Sequence, residues 1–242
     1  MSLLVKICGL STPDTIDVAI EAGADMVGVV FFPPSPRNVG YELARSLGAQ
    51  VRGRAQKVAL SVDATDDQLA ASIDALKPDL LQLHGKETPD RVATIRTRFG
   101  IPVMKALPIA ERADLAPVRL YEKVADRLIF DARAPRGATR PGGLGRPFDW
   151  HLLEDLKLAI PFMLSGGLDA ANVAEALRIT GAPGVDVSSG VEHAPGKKDP
   201  DKIVAFIRAA RGAPDDEPPQ ADPVEQTAPA PPVAPPKVDV KV

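Results

Sequence analysis

Short apolar, β-branched runs recur along the first 211 residues, each followed by a longer stretch with apolar positions at helical spacing. The runs predict strands at Leu4–Ile7, Met26–Phe31, Lys57–Val62, Leu80–Leu83, Val103–Ala106, Arg127–Phe130, Phe162–Leu164 and Gly184–Val187. Helical patterns lie between them at Thr12–Glu21, Tyr41–Val51, Asp66–Leu76, Pro89–Arg98, Leu115–Val124, Trp150–Leu156 and Ala171–Arg178, with a last one at Pro200–Ala210. Start signals such as Ser11-Thr12-Pro13-Asp14 and Asp199-Pro200-Asp201 support several of these helices. Eight strand–helix pairs in about 210 residues predict an α/β protein with a single (β/α)8 TIM barrel, at the small end of its size range. The competing architecture is an open doubly wound sheet. It would be expected to carry a first-turn G-x-G-x-x-G, and the chain has none.

The pattern stops after Arg211. The segment 212–242 holds nine of the 25 prolines, no aromatic residue, and six acids against two lysines. Such a composition cannot bury enough apolar surface to offset its ordering entropy, so it reads as a disordered, solvated tail. The barrel portion is then close to neutral, which argues against nucleic acid as a partner and requires any anion to be held by a local pocket. One cysteine excludes a disulfide framework and a zinc site built on cysteine pairs, and points to a reducing compartment. With no transmembrane-length apolar run and no secretory leader pattern, the expectation is a cytoplasmic protein with no membrane contact.

Barrel active sites lie at the C-terminal ends of the strands. The residues after the predicted strands are Cys8-Gly9, the loop 32–39, Asp63, His84-Gly85, Leu107-Pro108, Asp131, Ser165-Gly166-Gly167 and Ser188-Ser189-Gly190. Reactive and glycine-rich residues therefore gather at that end. The loops after strands 7 and 8 suit a phosphate held by backbone N–H groups at Gly166, Gly167 and Gly190, with hydroxyls from Ser188 and Ser189. Ordinary tight turns would also use these residue types, but not selectively at these two places. Asp131 ends a buried strand and is a candidate general acid or base, or a turn cap. It opens a long loop containing GGLG, a candidate lid; without a following Lys-Ser or Lys-Thr this is not a nucleotide P-loop.

Arg37 lies in a proline-stiffened loop, where its planar fork is suited to a carboxylate. His84 is a candidate substrate contact of the residue type that can change charge near neutral pH, with a hydrogen-bonded structural role as the alternative. His151 and His193 read as surface residues. Strand alternation places Lys6 inward below Cys8, and Asp186 shares an orientation with Ser188. A buried ammonium needs a partner, and strand 8 closes the barrel beside strand 1. Lys6 and Asp186 are therefore expected to pair.

Taken in order, KICGL, GVVFFPPSPRNV, LLQLHG, IFDA, GGLGRPFDW, LSGGL and VDVSSGVE resemble the phosphoribosylanthranilate isomerase family of tryptophan biosynthesis. The resemblance covers residues 3–211 and has no place for the tail. It departs at strand 3, where relatives often end in an FVN-like segment and this chain has SVDA. It implies an Amadori rearrangement of N-(5-phosphoribosyl)anthranilate, with neither metal nor redox cofactor. Asp131 is implied as the acid that opens the ring, and Cys8 as the base that removes the proton from the sugar's second carbon. Arg37 would hold the anthranilate carboxylate and the last two loops the phosphate. A free aspartic acid is ionised at neutral pH, so Asp131 needs burial or the substrate's negative charge to keep a proton. A free thiol titrates at about 8.5, so Cys8 gains from a nearby positive charge such as Lys6 or the iminium formed on ring opening. The histidine-pathway aminoaldose isomerases resemble this fold but place an acid where Cys8 stands. A catalytically silent phosphosugar-binding barrel with a partner-recruiting tail is the non-enzymatic alternative, and Cys8 together with Asp131 speaks against it. Monomer and homodimer both suit the pattern.

Overall fold

The structure is a computed structural model describing residues 2–134, 147–154 and 156–212. Eight parallel strands close into a barrel in sequence order. They are β1 (Leu4–Cys8), β2 (Met26–Phe31), β3 (Gln56–Ser61), β4 (Leu80–Leu83), β5 (Val103–Ile109), β6 (Arg127–Ala132), β7 (Phe162–Leu164) and β8 (Gly184–Val187). The helices are α1 (Pro13–Glu21), α2 (Tyr41–Val51), α3 (Asp66–Leu76), α4 (Pro89–Phe99), α5 (Val118–Tyr121), α6 (Val173–Thr180) and α7 (Pro200–Arg211). The tail beyond Gly212 and the stretch 135–146, which contains GGLG, lie outside the described residues.

Local chemistry sets the helix starts. Thr12, Thr65 and Thr88 each accept a hydrogen bond from a first-turn N–H, and Pro13, Pro89 and Pro200 occupy first-turn positions where no N–H is needed. Three helical expectations change. Leu115–Val124 divides into a 3-10 turn at Arg112–Leu115 and the single turn α5, with Pro117 at the junction, where it has no N–H to continue the first segment. Trp150–Leu156 reduces to a 3-10 turn at Trp150–Leu153. The helix expected from Ala171 begins at Val173, because Asp169 Oδ1 accepts from the N–H groups of Ala171 and Asn172 and turns the chain there first. A small hairpin, β9 (Glu192–Ala194) and β10 (Lys197–Lys198), follows β8 and has no sequence counterpart. Strands this short carry too little alternation to register as a pattern.

The alternation of the strands divides the interior into layers. Met26, Val58, Leu80, Met104, Ile129 and Met163 fill the lower barrel with an apolar plug. Cys8, Val30 and Leu60 form a smaller apolar cluster higher up, with Phe32 and Val62 packed against it. Lys6, Gln82 and Asp186 are buried polar residues on the same inward parity. The larger apolar cluster packs the outer strand faces against the helices.

Gly28 pairs with Cys8 across β1 and β2. A Cβ at this position would sit 3.0 Å from Cys8 Sγ and 3.1 Å from Lys6 Nζ. The missing side chain leaves room for both groups. Gly28→Ala is expected to destabilise the fold by about 1–3 kcal/mol through overpacking. Gly40→Ala, where a Cβ meets nothing within 4 Å, should change stability by less than about 1 kcal/mol. Urea unfolding of both variants checks the difference.

Candidate active site

The C-terminal strand ends surround an open cavity. Cys8, Arg37, His84, Asp131, Ser165–Leu168, Ser188 and Ser189 line it, together with Gln82, Asp186 and the apolar side chains of Val30, Phe32, Leu60 and Val62. One wall is therefore apolar, while the far side is glycine- and serine-rich. Gly166 and Gly167 hold φ values of +86° and +71°, turning the chain sharply above β7. Asn172 Nδ2 donates to the Gly167 carbonyl at 2.9 Å and fixes that turn. Among the described residues, the N–H groups of Gly167 and Ser189 have no protein acceptor, so both are free to bind an anion.

At the barrel seam, Lys6 and Asp186 are register partners of β1 and β8, and Lys6 Nζ donates to Asp186 Oδ1 at 2.7 Å. Ser165 Oγ donates to the other carboxylate oxygen at 3.0 Å. Across the mouth, His84 Nε2 lies 3.0 Å from Asp131 Oδ2, and Gln82 Nε2 lies 3.1 Å from His84 Nδ1. Asp131 Oδ1 accepts from the Ala132 N–H at 2.9 Å. Among the described residues, no cluster of three or more His, Cys, Asp or Glu side chains could hold a metal ion, and no helix is long and apolar enough to cross a membrane.

Over residues 5–209 the chain matches the family described as N-(5'-phosphoribosyl)anthranilate (PRA) isomerase. It is 67% identical over 215 residues to the N-(5'-phosphoribosyl)anthranilate isomerase of Bradyrhizobium diazoefficiens, covering 89% of this chain and 96% of that protein. The chain belongs to the phosphoribosylanthranilate isomerase family. The Thermotoga maritima phosphoribosylanthranilate isomerase superposes with a TM-score of 0.78 at 32% identity, covering 87% of this chain and 99% of that one. Another phosphoribosylanthranilate isomerase structure, with a TM-score of 0.74, 31% identity and the same coverage, is bound to reduced 1-(o-carboxyphenylamino)-1-deoxyribulose 5-phosphate. The activity is thus that of an isomerase of tryptophan biosynthesis.

On this phosphoribosylanthranilate isomerase barrel the structure adds partners to Arg37 and His84 and moves Gly190 out of the cavity lining. Arg37 is not a free loop side chain. It is buried, and its Nε and Nη2 donate to Glu192 Oε1 and Oε2 at 2.7 and 2.8 Å. Only the opposite guanidinium edge is left for a ligand. His84 has both ring nitrogens engaged by Gln82 and Asp131, so its contacts are to the candidate acid. Gly190 does not line the cavity; a Cβ there would run into the Leu168 carbonyl, so this glycine lets the last two loops approach each other.

Sequence reasoning missed Gln82, Glu192 and Lys198. Gln82 had a signal: it is the one polar residue in LLQL, at the same inward parity as His84. Glu192 had one as well, as the last residue of VDVSSGVE, but Lys198 had none, because the hairpin that carries both was not anticipated.

Burial pushes the Cys8 thiol above its ordinary range; the Lys6 ammonium opposes this and the Asp186 carboxylate adds to it. Burial also works against the charge on Lys6, but Asp186 and the Cys8 sulfur outweigh it and leave that ammonium firmly protonated. The resting pair is therefore a thiol beside a cation. Alkylation of Cys8 by iodoacetamide should keep accelerating above the ordinary thiol midpoint of about 8.5. Lys6→Met should slow it further at a given pH, because the charge that favours the thiolate is lost. A rate that levels off below pH ~8 would contradict this assignment of the resting thiol.

Proposed function

We propose that Asp131 and Cys8 are the acid and base of the rearrangement, working on a substrate held at both ends of the cavity. The phosphate of N-(5-phosphoribosyl)anthranilate fits the loops at Gly166-Gly167 and Ser188-Ser189, which line the cavity and carry N–H groups without a protein acceptor among the described residues. The anthranilate ring fits the apolar wall of Val30, Phe32, Leu60 and Val62, with its carboxylate at the open edge of Arg37. The ribose then spans the gap between Asp131 and Cys8. This convergence of both residues on one cavity, between a candidate phosphate end and a candidate carboxylate end, is the observation that carries the reading.

Asp131 protonates the furanose ring oxygen, the C1–O bond breaks, and the amine lone pair forms the iminium. The Asp131 carboxylate then accepts the Cys8 thiol proton, relayed through the substrate's hydroxyls. The cationic iminium offsets the burial that otherwise disfavours the thiolate. Cys8 removes the proton from the second carbon, and the C–H electron pair flows into the iminium to give an enolamine. Thiol and carboxylic acid are both restored. The enolamine ketonises to 1-(2-carboxyphenylamino)-1-deoxyribulose 5-phosphate. Gln82 helps hold the acid: turning its amide brings Oε1, unpartnered among the described residues, toward His84 Nδ1–H. His84 Nε2 then accepts from protonated Asp131.

The cellular setting of this reading is the cytoplasm, supported by a thiol that must stay reduced to act as a base. The described barrel is one catalytic domain in this reading. Cys8→Ala and Asp131→Asn should each lower kcat by about 10²–10⁴, with KM changed far less. Arg37→Ala should mainly raise KM. An anthranilate fluorescence assay on freshly prepared substrate measures all three, and near wild-type turnover in either of the first two variants would overturn that residue's role.

A further inference from the structure

We propose that Glu192 is a positioning residue for substrate recognition, clamping one edge of the Arg37 guanidinium so that the other edge meets the aromatic carboxylate squarely. The inference rests on the reading of Arg37 as the carboxylate anchor and extends it to a residue outside the cavity lining. Four donors converge on the Glu192 carboxylate. Arg37 Nε and Lys198 Nζ donate to Oε1 at 2.7 and 2.9 Å, and Arg37 Nη2 and the Gly196 N–H donate to Oε2 at 2.8 and 3.2 Å. The carboxylate is saturated and has no capacity left for a ligand. Its role is exercised through Arg37.

The geometry explains why a clamp is needed. A free arginine has several rotatable bonds, and a loop position alone does not select one of its rotamers. Here the side chain crosses Gly9, where a Cβ would sit 2.5 Å from Arg37 Cδ. Glu192 then fixes the plane of the guanidinium by a parallel two-bond fork. A carboxylate of the substrate arriving at the opposite edge meets donors already aligned. Two cations, Arg37 and Lys198, against one carboxylate leave a net positive charge at the clamp, which favours an arriving anion.

The hairpin also reaches the loop after β8 through Lys198. Lys198 Nζ donates to the Ser188 carbonyl at 2.8 Å, and Ser188 Oγ donates to the Cys8 carbonyl at 3.1 Å. Burial brings Lys198 down to about 8, with Glu192 holding it against a larger fall. The bonds from Lys198 to Ser188 run directly to its carbonyl and hydroxyl, so the phosphate end is held without passing through Glu192.

The test uses the full chain in four forms: unmodified, R37A, E192Q and the double variant. KM, kcat and inhibition constants are measured for two probes, anthranilate for the carboxylate end and inorganic phosphate for the other. E192Q is expected to raise KM and the anthranilate inhibition constant by about tenfold, with kcat changed by less than about threefold and phosphate inhibition unmoved. In the R37A background, E192Q should add less than about twofold, because its effect passes through Arg37. Equal factors in both backgrounds, or an unmoved anthranilate constant in E192Q alone, would overturn the proposal. If R37A itself leaves anthranilate inhibition unchanged, the anchor reading fails and takes the proposal with it. Should E192Q not fold, E192D keeps the charge on a shorter arm and is expected to show the same split at smaller amplitude; an unmoved anthranilate constant there counts against the clamp.

Discussion

The buried ion pair between Lys6 and Asp186 is the interaction on which the rest of the site depends. It bridges β1 and β8, the first and last strands of the barrel, and both side chains are almost wholly withdrawn from water. Removing one member of such a pair strands the other charge and costs about 3–5 kcal/mol. The pair is satisfied further by Ser165, which closes the second carboxylate oxygen. Its ammonium lies against the same glycine as the Cys8 sulfur. One contact thus fixes the strand register at the seam and sets the electrostatic surroundings of the candidate base.

Two further buried ionic groups repeat the device around the mouth. Arg37, Glu192 and Lys198 brace the side of the cavity where β1, β2 and β8 end. Behind His84, Lys105 Nζ donates to the carbonyls of Leu83, Gly85 and Ala106 and pairs with Glu87 at 3.0 Å. Glu87 in turn accepts from the N–H groups of Asp63 and Gly85. The backbone that carries His84, and through it the orientation of Asp131, is held from outside the barrel. The layering is consistent: apolar side chains fill the lower barrel, while charged groups fix the rim that carries the candidate site.

The strands were legible because each is a short buried run with a clear inward parity. Met26–Phe31, Leu80–Leu83, Phe162–Leu164 and Gly184–Val187 have the limits their composition implies. The same parity, with β8 closing beside β1, is enough to put Lys6 beside Asp186. Pairings made by loops were not legible. Arg37 and Glu192 are 155 positions apart, and only the closed barrel brings their loops together. A sequence can show that Arg37 is able to bind a carboxylate, but not that a protein carboxylate already occupies one of its edges. The helix expected at Leu115–Val124 was lost to Pro117, a local signal outweighed by the apolar spacing around it. The type of residue alone leaves the role of His84 open, and its partners, Gln82 and Asp131, decide what it does.

The central claim is a division of labour: Asp131 opens the ring and Cys8 takes the proton from the second carbon. The most direct test is the kinetic isotope effect on turnover of substrate carrying deuterium at that carbon, measured in Cys8→Ser and Asp131→Asn. A weaker base makes proton removal limiting, so the effect should rise in Cys8→Ser. A missing acid makes ring opening limiting, so it should fall toward unity in Asp131→Asn. The opposite ordering would contradict the assignment of the two roles.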